Sequence, residues 1–367
     1  MALEIAGWAA VVIWVYLLIG RGGFWRMRED RPRISVPSPA PRVTAVIPAR
    51  NEAAVIGRAV GSLVKQHYPG EFHIVVVDDH SSDGTAEAAG ERATVVQSAP
   101  LPSGWTGKLW AVAQGVREAA RFSPDFLLLT DADIVHHPET VSALVSQATQ
   151  GYDLVSRMAT LHCETAAERA LIPAFLFFFF LLYPPRWIRN PRRSVAGAAG
   201  GCILIRREML EWSGGVERIR GELIDDCALA AAVKQAGGRV WLGVSSETES
   251  IREYHNFREI GGMISRTAFT QLRHSWWLLA GTLAGLALTY LLPPAAALAG
   301  KPSGIVAWLL MSAAYFPALR FYRRSPLWAP LLPLVAAFYA AATIHSALAY
   351  ARGSGGMWKG RAQAAGQ

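Results

Sequence analysis

Long apolar runs lie at both ends of the chain and enclose a more polar middle. The first run, Leu3 to Gly20, is interrupted only by Glu4. Three further runs lie near the other end: Trp276 to Leu292, Ile305 to Leu319 and Leu327 to Tyr350. Each is close to the roughly 20 residues that a membrane helix needs. This arrangement predicts a folded domain tied to a membrane by helices before and after it.

The composition agrees with this plan. Hydrophobic residues make up 52% and charged residues 17% of the 367 residues, against about 25% charged residues in a usual soluble domain. The net charge is +8, but the arginines cluster at the edges of the apolar runs and not among stacking aromatic residues, which argues against nucleic-acid binding. Three cysteines without CxxC spacing indicate neither a disulfide framework nor a zinc site; they are Cys163, Cys202 and Cys227.

Groups of basic residues lie next to the apolar runs, at ends that would face the same side of a membrane. The first run is followed, not preceded, by positive charge, so we interpret it as a retained anchor and not as a cleaved signal peptide. The basic flanks are expected on the cytoplasmic side, which leaves the C-terminal tail outside. The flanking residues are Arg21, Arg26, Arg28, Arg31 and Arg33, then Arg258, Arg266 and Arg273, then Arg320, Arg323 and Arg324, and in the tail Arg352, Lys359 and Arg361.

A fifth apolar run, Leu171 to Tyr183, lies inside the polar middle and looks too short to cross a bilayer. A run of this length is either a buried core helix or a segment lying in the membrane interface. Four arginines follow it, as expected next to anionic headgroups, so we favour an interfacial segment at 171–185. The arginines are Arg186, Arg189, Arg192 and Arg193.

The middle of the chain alternates short β-branched runs with helical stretches. This pattern predicts an α/β fold with a mostly parallel sheet, in which ligands bind beyond the carboxyl ends of the strands. Predicted strands are Val43–Ile47, Ile74–Val77, Thr94–Val96 and Phe126–Thr130, and predicted helices are Ala54–Gln66, Thr85–Arg92, Gly107–Arg121, a stretch after Pro138 and Cys227–Gln235.

Acidic residues follow three of these strands. Glu52 follows the first, Asp78 and Asp79 end the second, and Asp131 and Asp133 follow the fourth. Any one of these groups could only cap a helix or form a turn, as could Asp83. Three groups of acidic residues at one edge of the sheet would repel each other unless something neutralises them. Together they therefore predict a bound cation or a ligand rich in hydrogen-bond donors. Asp131 and Asp133, two positions apart, suit a divalent ion such as Mg²⁺ or Mn²⁺.

Three further segments carry polar chemistry. Lys108 begins a predicted helix and is either a solvated surface residue or a ligand of a diphosphate. Gly200 and Gly201 precede a strand and allow either a tight bend or the close approach of a substrate. Asp225 and Asp226 open a helix, where acidic residues are favoured by the helix dipole. The alternative function for one of these two acids is that of a general base.

These motifs together resemble the family-2 glycosyltransferases with the GT-A (nucleotide-diphospho-sugar transferase) fold. The matching segments are VIPARNE (46–52), VVVDDHSSDGT (75–85), GKLWAVAQG (107–115), LTDADI (129–134), AGGCILIRRE (199–208) and IDDCAL (224–229). The resemblance covers roughly residues 42 to 273. The GWTGK stretch, with one anchor before the domain and several after it, is similar to the hopene-associated glycosyltransferases of bacterial hopanoid biosynthesis.

The resemblance implies roles for individual residues. Asp226 matches the catalytic base, and Asp131 and Asp133 would face the ribose and the diphosphate-bound metal. Residues that would bind the nucleotide sugar are Pro48, Ala49, Glu52, Asp78, Asp79 and Lys108; Gly200, Gly201, Asp225, Gln271 and Arg273 would lie on the acceptor side. The chain lacks the Q-x-x-R-W motif of processive members, since it has Gln271-Leu272-Arg273-His274-Ser275 there. His255 is either a further metal ligand or an ordinary histidine.

The resulting expectation is an inverting, metal-dependent transferase of the bacterial inner membrane, with its catalytic domain in the cytoplasm beside an anionic bilayer. It would use a nucleotide-diphosphate sugar as donor and a membrane lipid, such as a hopanoid or a polyprenyl phosphate, as acceptor. Alternatives are a processive polysaccharide synthase and a catalytically silent scaffold that binds nucleotide sugars. The expected domains are an anchor (1–21), a basic linker (22–41), the transferase domain (42–273), membrane helices (274–351) and a tail (352–367).

Overall fold

The structure is a computed structural model. It describes residues 1–29 and 33–353 and the backbone of 357–358 and 361–362. Arg31 of the expected basic linker and Lys359 of the expected tail lie outside the described residues, as does the side chain of Arg361.

Strands and helices alternate through the middle of the chain, and helices predominate toward its two ends. The strands are β1 (Val43–Ala49), β2 (Phe72–Asp78), β3 (Thr94–Gln97), β4 (Phe126–Leu129), β5 (Ile134–His136), β6 (Leu154–Thr160), β7 (Ile203–Arg206), β8 (Val240–Ser250), β9 (Met357–Trp358) and β10 (Arg361–Ala362). The α-helices are α1 (Ala2–Gly20), α2 (Ala53–Val64), α3 (Thr85–Ala89), α4 (Gly107–Ala119), α5 (Thr140–Ala148), α6 (Ala166–Leu182), α7 (Pro185–Ile188), α8 (Arg207–Trp212), α9 (Asp225–Gln235), α10 (Phe257–Gln271), α11 (Trp276–Leu286), α12 (Leu292–Leu298), α13 (Pro302–Phe321) and α14 (Leu332–Ala351). Short 3₁₀ turns span Ala120–Phe122, Val216–Ile219 and Pro326–Leu331, and a π-helical turn spans Ala287–Leu291.

The chain divides into two compact units. The sheet unit consists mainly of Arg28–Leu161 and Trp187–Arg252. The helical unit contains Met1–Met27, His162–Arg186 and the described residues from Glu253 to Gly353. The residues from 162 to 186 and from 253 to 273, which the sequence motifs include in the transferase domain, therefore group with the apolar helices.

The sheet of eight strands has the order β3-β2-β1-β4-β7-β6-β8-β5. The first four strands in this order are parallel, as the alternation of strands and helices predicts. The other half is mixed, because β7 runs antiparallel to β4 and β6, and β5 runs antiparallel to β8. β5 follows β4 closely in the sequence but lies at the far edge of the sheet, where it pairs with β8.

Apolar side chains cover both faces of the parallel half. Every residue of β1 is buried. On one face the core includes Ile56 and Leu63 of α2 with Leu144 of α5, and on the other face Val75 packs with Ala111 of α4. This double burial explains why these strands are continuous apolar runs in the sequence.

A glycine lets α4 lie close to the sheet. A Cβ atom added at Gly115 would come within 2.4 Å of Val46 Cγ1 on β1, closer than any real carbon contact. The close packing holds the first turn of α4, which carries Lys108, beside the carboxyl end of the sheet.

Among the residues that the structure describes, five segments are long and apolar enough to cross a membrane: Ala2–Gly20, Ala166–Ile188, Trp276–Leu298, Pro302–Phe321 and Pro326–Ala351. Four of them correspond to the apolar runs at the two ends of the chain. The fifth contains the 171–185 segment.

The prediction that this fifth run is too short to cross a bilayer was wrong. The segment that contains it, Ala166–Ile188, has 23 residues, because α6 begins before the apolar run and α7 follows it. The interfacial position of 171–185 stays a prediction. Thr165 caps α6 by accepting a hydrogen bond from the Glu168 amide, and Glu168 in turn accepts one from the Thr165 amide. This capping box adds a first turn that the apolar pattern does not show. Pro173 lies inside α6, which continues through it to Leu182.

Candidate active site

The ends of three neighbouring strands bring the first acidic motifs together. β1 lies between β2 and β4, and Ala49 is in register with Asp78. The Asp79 amide donates a hydrogen bond to the Ala49 carbonyl at 2.8 Å. The carboxyl ends of β1, β2 and β4 therefore form one polar edge, where such sheets bind ligands.

The acids at the end of β2 are buried and have partners. Asp78 accepts a hydrogen bond from Gln97 Nε2 at 2.8 Å, and Asp79 lies 3.5 Å from Arg50 Nη1. Asp83 caps instead: it accepts hydrogen bonds from the amides of Thr85 and Ala53, which begin α3 and α2. The hydrogen bond from the Thr85 hydroxyl is the main cause that lowers the pKa of Asp83. The capping interpretation therefore holds for this residue.

A cavity at this edge is lined by residues of five of the six sequence motifs. Asp131 lines it after β4, Lys108 lines it from α4, and Asp225 and Asp226 line it from α9. The remaining lining residues are Pro48, Leu109, Val112, Leu129, Thr130, Gly200, Ile203, Val216, Ile219 and Leu229. Segments as far apart as 48 and 229 in the sequence thus surround one space.

Lys108 connects the acids on two sides of this cavity. Its Nζ lies 2.9 Å from Asp131 Oδ1 and 3.1 Å from Asp225 Oδ2. Thr106 caps the helix by accepting a hydrogen bond from the Leu109 amide, which fixes the turn that carries the lysine. Burial favours the neutral amine, but the charges of Asp131 and Asp225 outweigh it and raise the pKa of Lys108. The side chain is therefore a fixed positive charge and not a solvated surface lysine.

Asp226 is held by two backbone amides. Its Oδ2 accepts a hydrogen bond from Gly200 at 2.9 Å, and its Oδ1 accepts one from Cys227 at 2.7 Å. Burial, together with the charge of Asp225, raises its pKa to about 6, although Lys108 and the amides act in the opposite direction. A carboxylate with such a pKa is well suited to take up a proton near neutral pH.

The two glycines have different surroundings. A Cβ atom at Gly200 would lie 3.4 Å from Lys108 Nζ and 3.5 Å from Asp226 Oδ2, so the missing side chain leaves room in the cavity itself. A Cβ atom at Gly201 would lie 3.0 Å from Ile134 Cδ1, in the core. The Gly201 carbonyl accepts a hydrogen bond from the Thr130 hydroxyl at 2.8 Å, which ties this segment to the end of β4.

Asp133 points to partners other than Lys108. Its Oδ2 accepts hydrogen bonds from Ser250 Oγ at 2.8 Å and from Arg252 Nε at 3.1 Å. Arg252 Nη2 also binds Glu52 Oε1 at 2.6 Å. Sequence reasoning missed Arg252 as a site residue. The available signal was a basic residue directly after a long strand, β8, at the edge where acidic motifs converge.

The carboxylates of Asp131 and Asp133 are the groups that could hold a divalent ion. Within the described parts of the chain, no group of three His, Cys, Asp or Glu side chains could hold a metal by itself. Mg²⁺ takes few protein carboxylates and completes its shell with water and phosphate oxygens. The two hard carboxylates fit an ion whose other ligands come from a diphosphate, and they do not form an all-protein cage.

Three candidate residues belong to the helical unit. Gln271 Oε1 accepts a hydrogen bond from the Tyr183 hydroxyl at 2.8 Å. Arg273 follows α10 with a φ of 51°, in the left-handed region. The His255 amide donates to Glu259 Oε2 at 2.9 Å as part of the N-terminal cap of α10. These contacts give Gln271 and His255 local structural partners within their own unit.

Comparisons with known proteins find relatives of this chain. A relative from Methanocaldococcus jannaschii, an uncharacterized protein, is 36% identical over 119 residues, which are 32% of this chain and 46% of the relative. The 4,4'-diaponeurosporenoate glycosyltransferase of Staphylococcus aureus is 25% identical over 238 residues, 64% of this chain and 59% of the relative. The chain thus spans about half the length of the curated relatives it matches.

A solved structure shares the fold. The mannosyltransferase PcManGT from Pyrobaculum calidifontis, in complex with GDP-Man and Mn²⁺, is similar with a TM-score of 0.55 at 22% identity, over 94% of this chain and 98% of that chain. The match extends over nearly all of both chains, and it agrees with the GT-A fold that the motifs imply.

The model of one protein family, described as glycosyltransferase like family 2, matches residues 40–266. That range includes each of the ordered motifs and every residue that lines the cavity. The chain therefore belongs to the glycosyltransferase-like family 2 and has the GT-A fold.

Proposed function

We propose that the protein transfers a sugar from a nucleotide-diphosphate sugar to a lipid acceptor at a bacterial inner membrane. The observation that carries this proposal is the bridge made by Lys108 between Asp131 and Asp225 in a cavity that Asp226 also lines. This bridge joins the motif expected to hold the donor to the motif expected to activate the acceptor. In a transfer reaction, the donor and the activated acceptor must be held at the same anomeric carbon.

In the proposed reaction, Asp226 takes the proton of an acceptor hydroxyl. The hydroxyl oxygen bonds to the anomeric carbon from the face opposite the diphosphate, and the bond from that carbon to the diphosphate oxygen breaks. Its electron pair leaves with the nucleoside diphosphate. The amides of Gly200 and Cys227 hold Asp226 in one orientation. Because the reaction is a single displacement from the opposite face, the product has inverted configuration and no covalent enzyme intermediate forms.

Lys108 stabilises the charge that develops on the leaving diphosphate. Its raised pKa keeps the ammonium charged across the physiological range. A fixed charge in a partly enclosed site needs no reorganisation during the reaction, which makes it effective. A divalent ion held by Asp131 and Asp133 would add positive charge at the same diphosphate. Pro48, Ala49, Glu52, Asp78 and Asp79 at the ends of β1 and β2 would bind the nucleoside part of the donor.

The membrane setting supports a lipid acceptor. The described part of the chain has five helices long and apolar enough to cross a membrane, which supports a reaction that takes place at a bilayer. The Staphylococcus aureus relative, named for diaponeurosporenoate, supports an acceptor of lipid character. A hopanoid is the acceptor that the motif resemblance favours, and a polyprenyl phosphate is the other candidate.

The test is a screen of labelled nucleotide sugars with the full-length protein and lipid extracts. We expect labelled glycolipid from at least one donor, loss of labelling with a chelator, and its return with Mg²⁺ or Mn²⁺. Mass spectra of lipids from cells with and without the protein identify the acceptor. A protein that binds nucleotide sugars but labels no lipid would instead be a silent scaffold, and labelled polymer would identify a processive synthase.

A further inference from the structure

Arg252 holds two acidic motifs that come from separate strands. Its Nε lies 3.1 Å from Asp133 Oδ2, and its Nη2 lies 2.6 Å from Glu52 Oε1. The side chains of Asp133 and Glu52 are only 12% and 11% exposed. Ion pairs that are shielded from water in this way are stronger than pairs on an open surface. A planar guanidinium can bind two carboxylates through different nitrogens, which a lysine cannot do.

Each proposed metal ligand therefore has its own positive partner. Lys108 neutralises Asp131, and Arg252 neutralises Asp133 with help from the Ser250 hydroxyl. A dication that enters the metal-free site competes with Arg252 for Asp133 and then remains close to two positive side chains. A diphosphate removes this repulsion, because its negative oxygens give both side chains and the ion a new partner.

We propose that Arg252 is a built-in counter-ion that occupies the Asp133 carboxylate in the free protein and releases it when a nucleoside diphosphate arrives. The inference rests on the proposed function, since it assumes a donor site at Asp131 and Asp133. It makes binding of metal and nucleotide strongly cooperative. Arg252 is thus a positioning residue, which acts on the metal site through Asp133.

The first experiment needs no variant. The amount of free Mn²⁺ is measured by electron paramagnetic resonance in the presence of the full-length protein in detergent, with and without GDP or UDP. We expect the nucleotide to tighten Mn²⁺ binding at least about tenfold, within the usual range of coupling between sites. By reciprocity, Mn²⁺ tightens binding of the nucleotide by the same factor. Equal affinity for Mn²⁺ with and without bound nucleotide overturns the inference.

The second experiment removes the counter-ion. Arg252→Gln should tighten binding of Mn²⁺ to the nucleotide-free protein several-fold, and Asp133→Asn in the same chain should abolish this gain. Arg117→Gln is the matched control, because it removes an equal charge from an exposed pair with Glu217. Unchanged affinity in Arg252→Gln, with a melting temperature near that of the wild type, overturns the inference.

The two proposals fail in different ways. If neither GDP nor UDP binds, as measured by calorimetry with and without Mn²⁺, the proposed donor site is wrong and the inference falls with it. If a nucleotide binds and supports transfer but leaves Mn²⁺ binding unchanged, the proposed function stands and the role of Arg252 is overturned.

Discussion

The Gly200 amide donates a hydrogen bond to Asp226 Oδ2 at 2.9 Å. This contact joins the loop before β7 to the first turn of α9, although the two residues are 26 positions apart in the sequence. It orients the carboxylate toward the cavity that Lys108 and Asp131 also line. The same contact brings the backbone of Gly200 so near the ammonium that a side chain there would crowd it.

The role of Asp226 predicts a loss of turnover without a loss of donor binding. Asp226→Asn keeps the shape of the side chain but cannot take up a proton, and its one oxygen can accept only one of the two backbone hydrogen bonds, those from Gly200 and Cys227. We expect kcat to fall by roughly 10²–10⁴-fold, the usual contribution of a general base, while the affinity for the nucleotide sugar stays within a few-fold. Glu211→Gln is the control, since Glu211 pairs with Arg207 on the exposed side of α8. Turnover near that of the wild type would show that another group is the base.

The raised pKa of Asp226 predicts the pH dependence of the reaction. The base must be ionised, so kcat/KM, which reports the pKa of the free protein, rises with pH through about 6 and levels off above it. Below that pH the rate falls about tenfold per unit, because only the ionised fraction reacts. Because the charge of Asp225 contributes to the raised pKa, Asp225→Asn should move the midpoint to lower pH. A pH profile of transfer for both proteins checks this, and a midpoint that moves upward would contradict it.

Removal of the Lys108 charge should impair both sides of the cavity. Lys108→Met leaves Asp131 and Asp225 without their bridge, and it removes positive charge from the leaving diphosphate. We expect kcat to fall about 10²-fold, as when one stabilising donor is removed from a site of this kind, together with weaker donor binding. Lys108→Arg should restore part of the loss. Lys65→Met, an exposed position just after α2, controls for net charge, and an equal effect in that variant would refute the specific role.

A methyl group at Gly200 tests how closely the cavity fits its ligand. Gly200→Ala places a carbon 3.4 Å from Lys108 Nζ and 3.5 Å from Asp226 Oδ2, which the backbone tolerates but which fills space in the site. We expect the melting temperature to change little and kcat/KM to fall clearly. The matched variant is Gly61→Ala in α2, where no atom lies within 4 Å of the added carbon; it should raise stability by about 0.5–1 kcal/mol. Full activity in Gly200→Ala would mean that substrates do not approach this backbone.

Local patterns in the sequence determined the elements and their chemistry. The buried run of β1, the periodicity of α2 and the acidic residues after three of the strands could all be interpreted without coordinates, because alternation, apolar runs and turn residues act over a few positions. The same is true of the apolar runs at both ends. The fifth run was the exception, since the capping box at Thr165 and Glu168 lengthens α6 beyond its apolar residues.

Only the tertiary structure decided which charges meet. Lys108 could have been a surface lysine, and its contacts with Asp131 and Asp225 depend on how α4 and α9 pack against the sheet. Arg252 reaches Glu52 across 200 positions of the chain, a distance that no local pattern spans. Propensity and polarity act between near neighbours, whereas ion pairs and raised pKa values depend on distances through space, which the packed core sets.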